Sequence, residues 1–195
     1  MRKYLPYIIL GLIALFLFSQ GTGAYNGLVS EEEQVNQAWA NVQSAYQRRA
    51  DLIPNLVNTV KGAAEFEKET LEAVVNARAK ATSVQVDPTN ITPAQLEAFS
   101  EAQSGLSSAL SRLLVTVERY PELKATANFS ELQTQLEGTE NRIKVERDRF
   151  NAAVTSFNTK MRRFPTSIFA GIFGFQRKAT FESDAGAEVA PQVNF

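Results

Sequence analysis

The chain of 195 residues is long enough for one domain and an appendage, and its hydrophobic content of 44% supports a packed core. Twenty Lys and Arg residues balance 21 Asp and Glu residues. This argues against a nucleic-acid surface, which needs a clustered basic excess. Without Cys the chain has no disulfides or thiolate metal sites, and without His it lacks the commonest general base and metal ligand. We therefore expect a non-enzymatic protein with no cofactor and no metal.

Residues 1–24 are predicted to form an amino-terminal membrane anchor. The segment from Tyr4 to Phe18 is almost wholly apolar, and the chain stays uncharged through Ala24. As a helix, this stretch covers about 31 Å, which is enough to cross the hydrocarbon core of a bilayer. The alternative is a cleaved signal peptide with Thr22-Gly23-Ala24 as its small-residue site. The anchor residues are Tyr4, Leu5, Ile8, Ile9, Leu10, Leu12, Ile13, Leu15, Phe16, Leu17 and Phe18.

The charges beside the anchor predict its orientation. Arg2 and Lys3 precede it, whereas the far side begins with Glu31 and has no basic residue before Arg48. The positive-inside rule therefore predicts a single-pass protein with a cytoplasmic amino terminus and an extracytoplasmic body.

The body, residues 25–164, contains three stretches with heptad spacing of apolar residues. They run from Val35 to Ala81, from Leu96 to Tyr120 and from Phe129 to Phe164, and prolines separate them. Thr92-Pro93 is a typical start signal for the second helix. The predicted fold class is all-α, with a transmembrane helix followed by an antiparallel, coiled-coil-like bundle of long helices, four-helix and up-and-down-like.

Pro54 leaves two alternatives for the first stretch. Ile53 and Leu56 keep the heptad phase across it, so the helix either bends there and continues, or the chain reverses there. Reversal gives four comparable helices, although no glycine is present to support a tight turn. A bent helix instead outruns the second helix, and its stretch from Val35 to Ile53 then needs a partner, such as another copy of the chain.

Several polar residues are candidates for interaction or for a buried polar site. Arg49, Glu67 and Glu146 fall at heptad core positions, where they either form a buried ionic site or lie at the edge with their charges in water. In the third helix, Glu140, Arg147, Asn151 and Asn158 share one face, which is either an interaction surface or an ordinary solvated face. The candidates are Arg48, Arg49, Asp51, Asn55, Glu67, Glu140, Arg147 and Asn151.

Residues 165–181 form an apolar carboxy-terminal segment, and residues 182–195 are predicted to be a disordered tail. The segment is too short to span a bilayer. Either it touches the membrane beside the anchor, with Gln176-Arg177-Lys178 at the lipid headgroups, or it caps the open end of the bundle. The candidate membrane contacts are Ile168, Phe169, Ile172, Phe173 and Phe175.

These residues resemble the LemA family over nearly all of the chain from Tyr25 to Phe181. The most specific match is Arg48-Arg49-Ala50-Asp51-Leu52-Ile53-Pro54-Asn55-Leu56-Val57, and supporting matches include Ala38-Trp39, Ala77-Arg78, Leu136-Glu137-Gly138-Thr139-Glu140-Asn141 and Phe164-Pro165. The resemblance implies an amino-terminal anchor, an antiparallel four-helix bundle and no known enzymatic activity. One member takes part in magnetosome membrane formation, and others sit near membrane-protease genes. Family members are often drawn with a cytoplasmic body, opposite to the orientation that the charges predict here. Glu146 departs from the family pattern, which usually has a small residue there.

Together these observations predict a scaffold that self-associates and organises or shapes the bacterial membrane. The alternative is an adaptor or substrate-presenting partner of an integral membrane enzyme such as a protease. The expected partners are membrane lipid, further copies of the chain and other membrane proteins, with no nucleic acid.

Overall fold

A computed structural model describes residues 4–62 and 67–182, and these residues form helices joined by short non-helical segments, with no strand among them. The predicted all-α fold class is therefore confirmed. The helices are α1 (Leu5–Lys61), α2 (Lys68–Ser83), α3 (Pro93–Val117), α4 (Pro121–Lys124), α5 (Ala127–Arg162) and α6 (Thr166–Phe173). The predicted tail lies almost wholly outside the described residues.

Helix α1 carries both the apolar amino-terminal segment and the first part of the bundle. Its 57 residues correspond to about 86 Å of helix. Its large apolar side chains from Tyr7 to Phe18 are exposed, and burial against the rest of the chain begins at Gly21. The exposed end is long and apolar enough to cross a membrane. The boundary predicted after residue 24 therefore falls within one continuous helix.

Pro54 lies inside α1, so the alternative in which the chain reverses at this proline is wrong. A proline has no backbone N–H, which leaves the carbonyl oxygen of Ala50, four residues earlier, without its helical donor. Arg78 of α2 supplies the missing donor, because its Nε–H lies 2.7 Å from that oxygen. A side chain of the neighbouring helix thus replaces the hydrogen bond that the proline removes.

The reversal begins about two helical turns after Pro54. Helix α1 ends at Lys61 and α2 begins at Lys68, so the heptad stretch from Val35 to Ala81 is two helices rather than one. The apolar positions on both sides of the turn keep the same phase, and Val60 and Val74 are fully buried.

Two apolar cores lie along the bundle. The core farther from the apolar end of α1, here called the anchor-distal core, is formed by the four helices α1, α2, α3 and α5. Its buried residues include Ile53, Val74, Leu113 and Phe129. Helix α3 begins at Pro93 as predicted, and Thr92 and Gln95 form a capping box there.

The anchor-proximal core is built differently, because α2 contributes no buried residue to it and α3 contributes only Leu96 and Phe99 from its first turns. Helices α1 and α5 contribute the apolar residues between Leu28 and Tyr46 and between Ile143 and Phe157. The remaining side is closed by the α2–α3 loop, through Val86 and Ile91, and by an extended strap, residues 175–182, through Phe181. The part of α1 that outruns the second helix is therefore covered within the chain.

Candidate functional site

A polar layer separates the two cores, and Arg49 of α1 lies at its centre. Its side chain is 2% exposed and reaches three neighbours. Nη1 donates to Glu140 Oε1 at 2.6 Å and to Ser107 Oγ at 2.9 Å, and Nη2 donates to Gln103 Oε1 at 2.6 Å. The side-chain amide of Gln103 in turn donates to the carbonyl of Ala81. Of the two sequence alternatives, Arg49 is therefore a buried ionic site, and it links α1 to α3 and α5.

Glu146 is also buried, but its ionic partners belong to its own helix, α5. Its Oε1 accepts from Nε of Arg142 at 2.7 Å and from Nη1 of Arg149 at 3.0 Å, and both arginines are mostly exposed. Its Oε2 is buried without a hydrogen-bond partner among the described residues. Of the two alternatives, Glu146 is therefore a buried ionic site as well.

Glu67 does not share this environment, although it occupies an equivalent heptad position. It lies just before α2 and is exposed, and it pairs with Arg119 at 2.8 Å on the surface. Of the two alternatives, Glu67 therefore lies at the edge with its charge in water, because it stands just before the start of α2.

The candidates Arg48, Asp51 and Asn55 lie on the exposed side of α1. Asp51 accepts a hydrogen bond from Gln47 at 2.8 Å. Arg48 lines an open groove of about 530 Å³ between α1 and α5, whose other lining residues are Asn41, Ser44, Ala45, Gln135, Gly138, Thr139 and Arg142. These three residues therefore do not form one site with Arg49.

The polar face of α5 holds the strap. Asn151 makes two hydrogen bonds with the backbone of Phe181, donating to its carbonyl at 3.1 Å and accepting from its N–H at 2.8 Å. Asn158 makes the same pair of bonds with the backbone of Lys178. The guanidinium of Arg147 lies over the Phe181 ring, 4.8 Å from its centroid. This face is thus an interaction surface, and its occupant is another segment of the same chain.

Two side chains of the strap are buried in the fold. The ring of Phe181 packs against Trp39 and Phe150, with centroids 6.0 and 5.5 Å apart. Nζ of Lys178 is buried, lies 3.0 Å from Glu32 Oε1 and donates to the carbonyls of Pro88 and Thr89. The expected position of Lys178 at lipid headgroups is therefore wrong, and nothing in the sequence pattern around this lysine marks it as buried.

Helix α6 packs beside α1 where the apolar span ends. The Phe169 ring lies close to the backbone of α1 at Gly21, where an added Cβ would be 3.1 Å from the ring. Tyr25 contacts Phe173 and Phe175, with ring centroids 5.0 and 5.9 Å apart. Gly174 then ends α6 in a left-handed conformation with φ 76°, which favours glycine.

The described residues contain no group of three or more Asp and Glu side chains arranged to hold a metal ion. Hydrogen bonds from the hydroxyl and the N–H of Thr89 lower the pKa of the exposed Asp87 carboxyl in the α2–α3 loop, and the charge of Lys178 adds to this. This turn presents the two carbonyls that accept from Lys178.

Comparison with known proteins gives a consistent result. A family model described as the LemA family matches residues 38–195. The chain is 28% identical over 171 residues to Protein LemA of Metamycoplasma hominis, covering 88% of this chain and 74% of the relative. It is 27% identical over 189 residues to Magnetosome protein MamQ of Magnetospirillum gryphiswaldense and 25% identical to Magnetosome protein MamQ 2 of Paramagnetospirillum magneticum, covering 87% of this chain and 70% of each relative. The chain, a helical bundle that continues from an apolar amino-terminal helix, therefore belongs to the LemA family.

Proposed function

We propose that this LemA family member is a non-enzymatic, membrane-anchored helical scaffold that self-associates and organises or shapes the bacterial membrane. The observation that carries the proposal is the continuity of α1, which runs from the apolar span to the polar layer at Arg49 and on to Lys61. Because one helix forms both the span and a wall of the bundle, the body is held in a fixed direction relative to the membrane. The relatives named as magnetosome proteins support a place at a membrane.

The exposed face of α1 in the membrane supports self-association. Ser19 and Gly23 lie four residues apart on this face, opposite the face at Gly21 that α6 covers. Small residues at this spacing allow the backbones of two membrane helices to approach closely. The heptad stretch of α1 from Val35 to Ile53 gives no such support, because α3, α5, the α2–α3 loop and the strap already bury it.

Counting copies of the full chain per particle tests the proposal. The protein is reconstituted in lipid vesicles at low density, and labelled copies are counted by stepwise photobleaching. We expect oligomers for the wild type and for Gly11→Leu, and smaller particles for Gly23→Leu. An added Cβ meets nothing within 4 Å at either glycine, so we expect both substitutions to leave the fold intact. A wild-type monomer at every density would contradict the scaffold.

An extracytoplasmic body is part of the proposal. It is supported by Arg2 and Lys3 before the span and by the lack of any basic residue between Tyr4 and Gln47. A protease added to spheroplasts is expected to digest the body. Protection that ends only when the cells are lysed would place the body in the cytoplasm instead.

An adaptor for an integral membrane enzyme is the second candidate, and the groove between α1 and α5 favours it. Arg48 and Arg142 line this groove together with small residues such as Ala45 and Gly138, so an acidic peptide could lie there. A monomer that co-purifies with one membrane enzyme, and loses it on Arg48→Glu, would support the adaptor over the scaffold.

A further inference from the structure

Helix α6 packs on α1 near the end of the uncharged stretch that is long enough to cross a membrane. The stretch from Tyr4 to Ser30 contains no charged residue, and about 20 residues of helix suffice to cross the hydrocarbon core. Phe169 packs on α1 at Gly21, and Phe173 packs on Tyr25. The contacts of α6 therefore fall on the last part of the uncharged stretch, where the hydrocarbon core gives way to the headgroups.

One side of α6 seals the bundle, while the other side has no partner. Ala170 is buried, and Phe175, which follows α6, packs against Tyr25 and Phe157. Ile168 and Ile172 are 54% and 69% exposed on the outward side, and Phe164 at the approach to α6 is 81% exposed. The side of this segment that caps the bundle and its exposed apolar side are thus different faces.

Three cations flank α6 along the chain. Arg162 and Arg163 precede α6, Arg177 follows it, and all three are exposed. None of them forms an ion pair with a carboxylate in the described part of the chain. The neighbouring lysines differ, because Lys160 pairs with Glu31 and Lys178 pairs with Glu32. Positive charge without a carboxylate partner among the described residues therefore lies at both ends of α6.

We propose that α6 is an interfacial helix that inserts its outward face into the leaflet on the side of the body, and that the three arginines bind anionic lipid headgroups. Eight residues reach only about 12 Å, so the helix lies in the interface and does not cross the bilayer. With the span of α1, α6 gives the body two separate attachments, which fix its tilt and its rotation about the membrane normal. This inference extends the proposed membrane anchoring and does not depend on self-association.

A lipid surface fits this face better than a second copy of the chain does. The face is continuous with the membrane span, since α6 packs on α1 at Gly21 and Tyr25. It offers only a few large apolar side chains on a helix of eight residues, less than a stable protein interface needs. The segments before and after this helix carry like charges, which repel in a symmetric pair and attract anionic headgroups.

The natural absence of Cys allows a direct test with single spin labels on the full chain. Ile172→Cys places a label on the outward face of α6, and Val115→Cys on α3 is the matched control, because these two side chains are 69% and 70% exposed. Each variant is reconstituted as one copy per lipid nanodisc, which excludes a second copy as the cover. We expect the ratio of oxygen accessibility to aqueous nickel-complex accessibility to be several-fold higher at residue 172 than at residue 115. Equal ratios would overturn the insertion of α6.

A second arm tests the role of the arginines. Discs of phosphatidylglycerol mixed with phosphatidylcholine are compared with discs of phosphatidylcholine alone, for the labelled protein with and without the combined changes Arg162→Gln, Arg163→Gln and Arg177→Gln. We expect the label at residue 172 to lie deeper in the anionic discs only when the arginines are present. The same depth in both kinds of disc, with the arginines intact, would overturn the headgroup contacts. Because every disc holds one copy, failure here leaves the test of self-association unaffected.

Discussion

Replacing Arg49 with alanine is expected to destabilise the bundle strongly. The change leaves the side-chain oxygen of Gln103 buried without a donor, which costs about 1–3 kcal/mol. It also removes two packed methylenes beyond Cβ, worth about 0.8 kcal/mol each. Glu140 adds little, since its side chain is 47% exposed and regains water. We therefore expect a loss of about 3–5 kcal/mol in the free energy of unfolding. Arg49→Met keeps the stem and is expected to be milder.

Urea unfolding of the full chain in mild detergent measures this loss. The single tryptophan, Trp39, is buried against Phe99 and Phe150 in the adjacent core, so its fluorescence reports the folding of the bundle. Arg48→Ala is the matched control, because Arg48 is the neighbouring residue and its side chain is exposed. This substitution should change the free energy of unfolding by no more than about 0.5 kcal/mol. If Arg49→Ala shifted stability no more than Arg48→Ala does, the guanidinium would have to reach water at the edge of the bundle.

Three further predictions use the same unfolding assay. Arg78→Met is expected to cost about 1–3 kcal/mol in the natural chain and much less together with Pro54→Ala, which restores the missing N–H; additive effects would contradict the proposed replacement of that bond. Glu146→Met is expected to be neutral or stabilising, since it removes a buried, incompletely bonded carboxylate whose arginine partners return to water; a loss above about 1 kcal/mol would argue against this. Hydrogen bonds from Thr89 lower the pKa of Asp87 in the folded state. The ionised carboxylate therefore stabilises the fold at a pH above its pKa in the unfolded chain, which is about 4, and this stabilisation is lost as the pH falls through the pKa of the folded state. Asp87→Asn should therefore flatten the decline of stability in acid, and an unchanged decline would refute the assignment.

Heptad spacing predicted the buried face of α1 well, but it concealed the first turn of the bundle. The phase of the apolar positions continues from Val60 to Val74 across that turn, so periodicity alone indicates one long helix. Gly62 is the one glycine between residues 28 and 104, and it is the sequence signal that marks the end of α1. Glu67 shares the spacing of a core residue for the same reason, so the heptad pattern alone could not decide between burial and an exposed edge position.

The strap could not be predicted from spacing, because an extended segment that packs on a helix has no helical period. Asn151 and Asn158, seven residues apart, indicated a shared face of α5, but their partners are backbone groups of Phe181 and Lys178. Backbone partners carry no sequence signature. The need for a cover on α1 was predicted correctly, whereas a second copy of the chain was only one candidate for it.

A distance across α1 tests the central claim, that one rigid helix joins the membrane span to the body. Spin labels at Thr22→Cys and Gln47→Cys, two exposed positions 25 residues apart, should lie about 38 Å apart along a continuous helix. The double variant is reconstituted in nanodiscs with excess unlabelled protein, and the distance is measured by double electron–electron resonance. We predict a narrow distribution centred near this value. A broad distribution shifted to shorter distances would show a hinge between the span and the body, and would contradict the account.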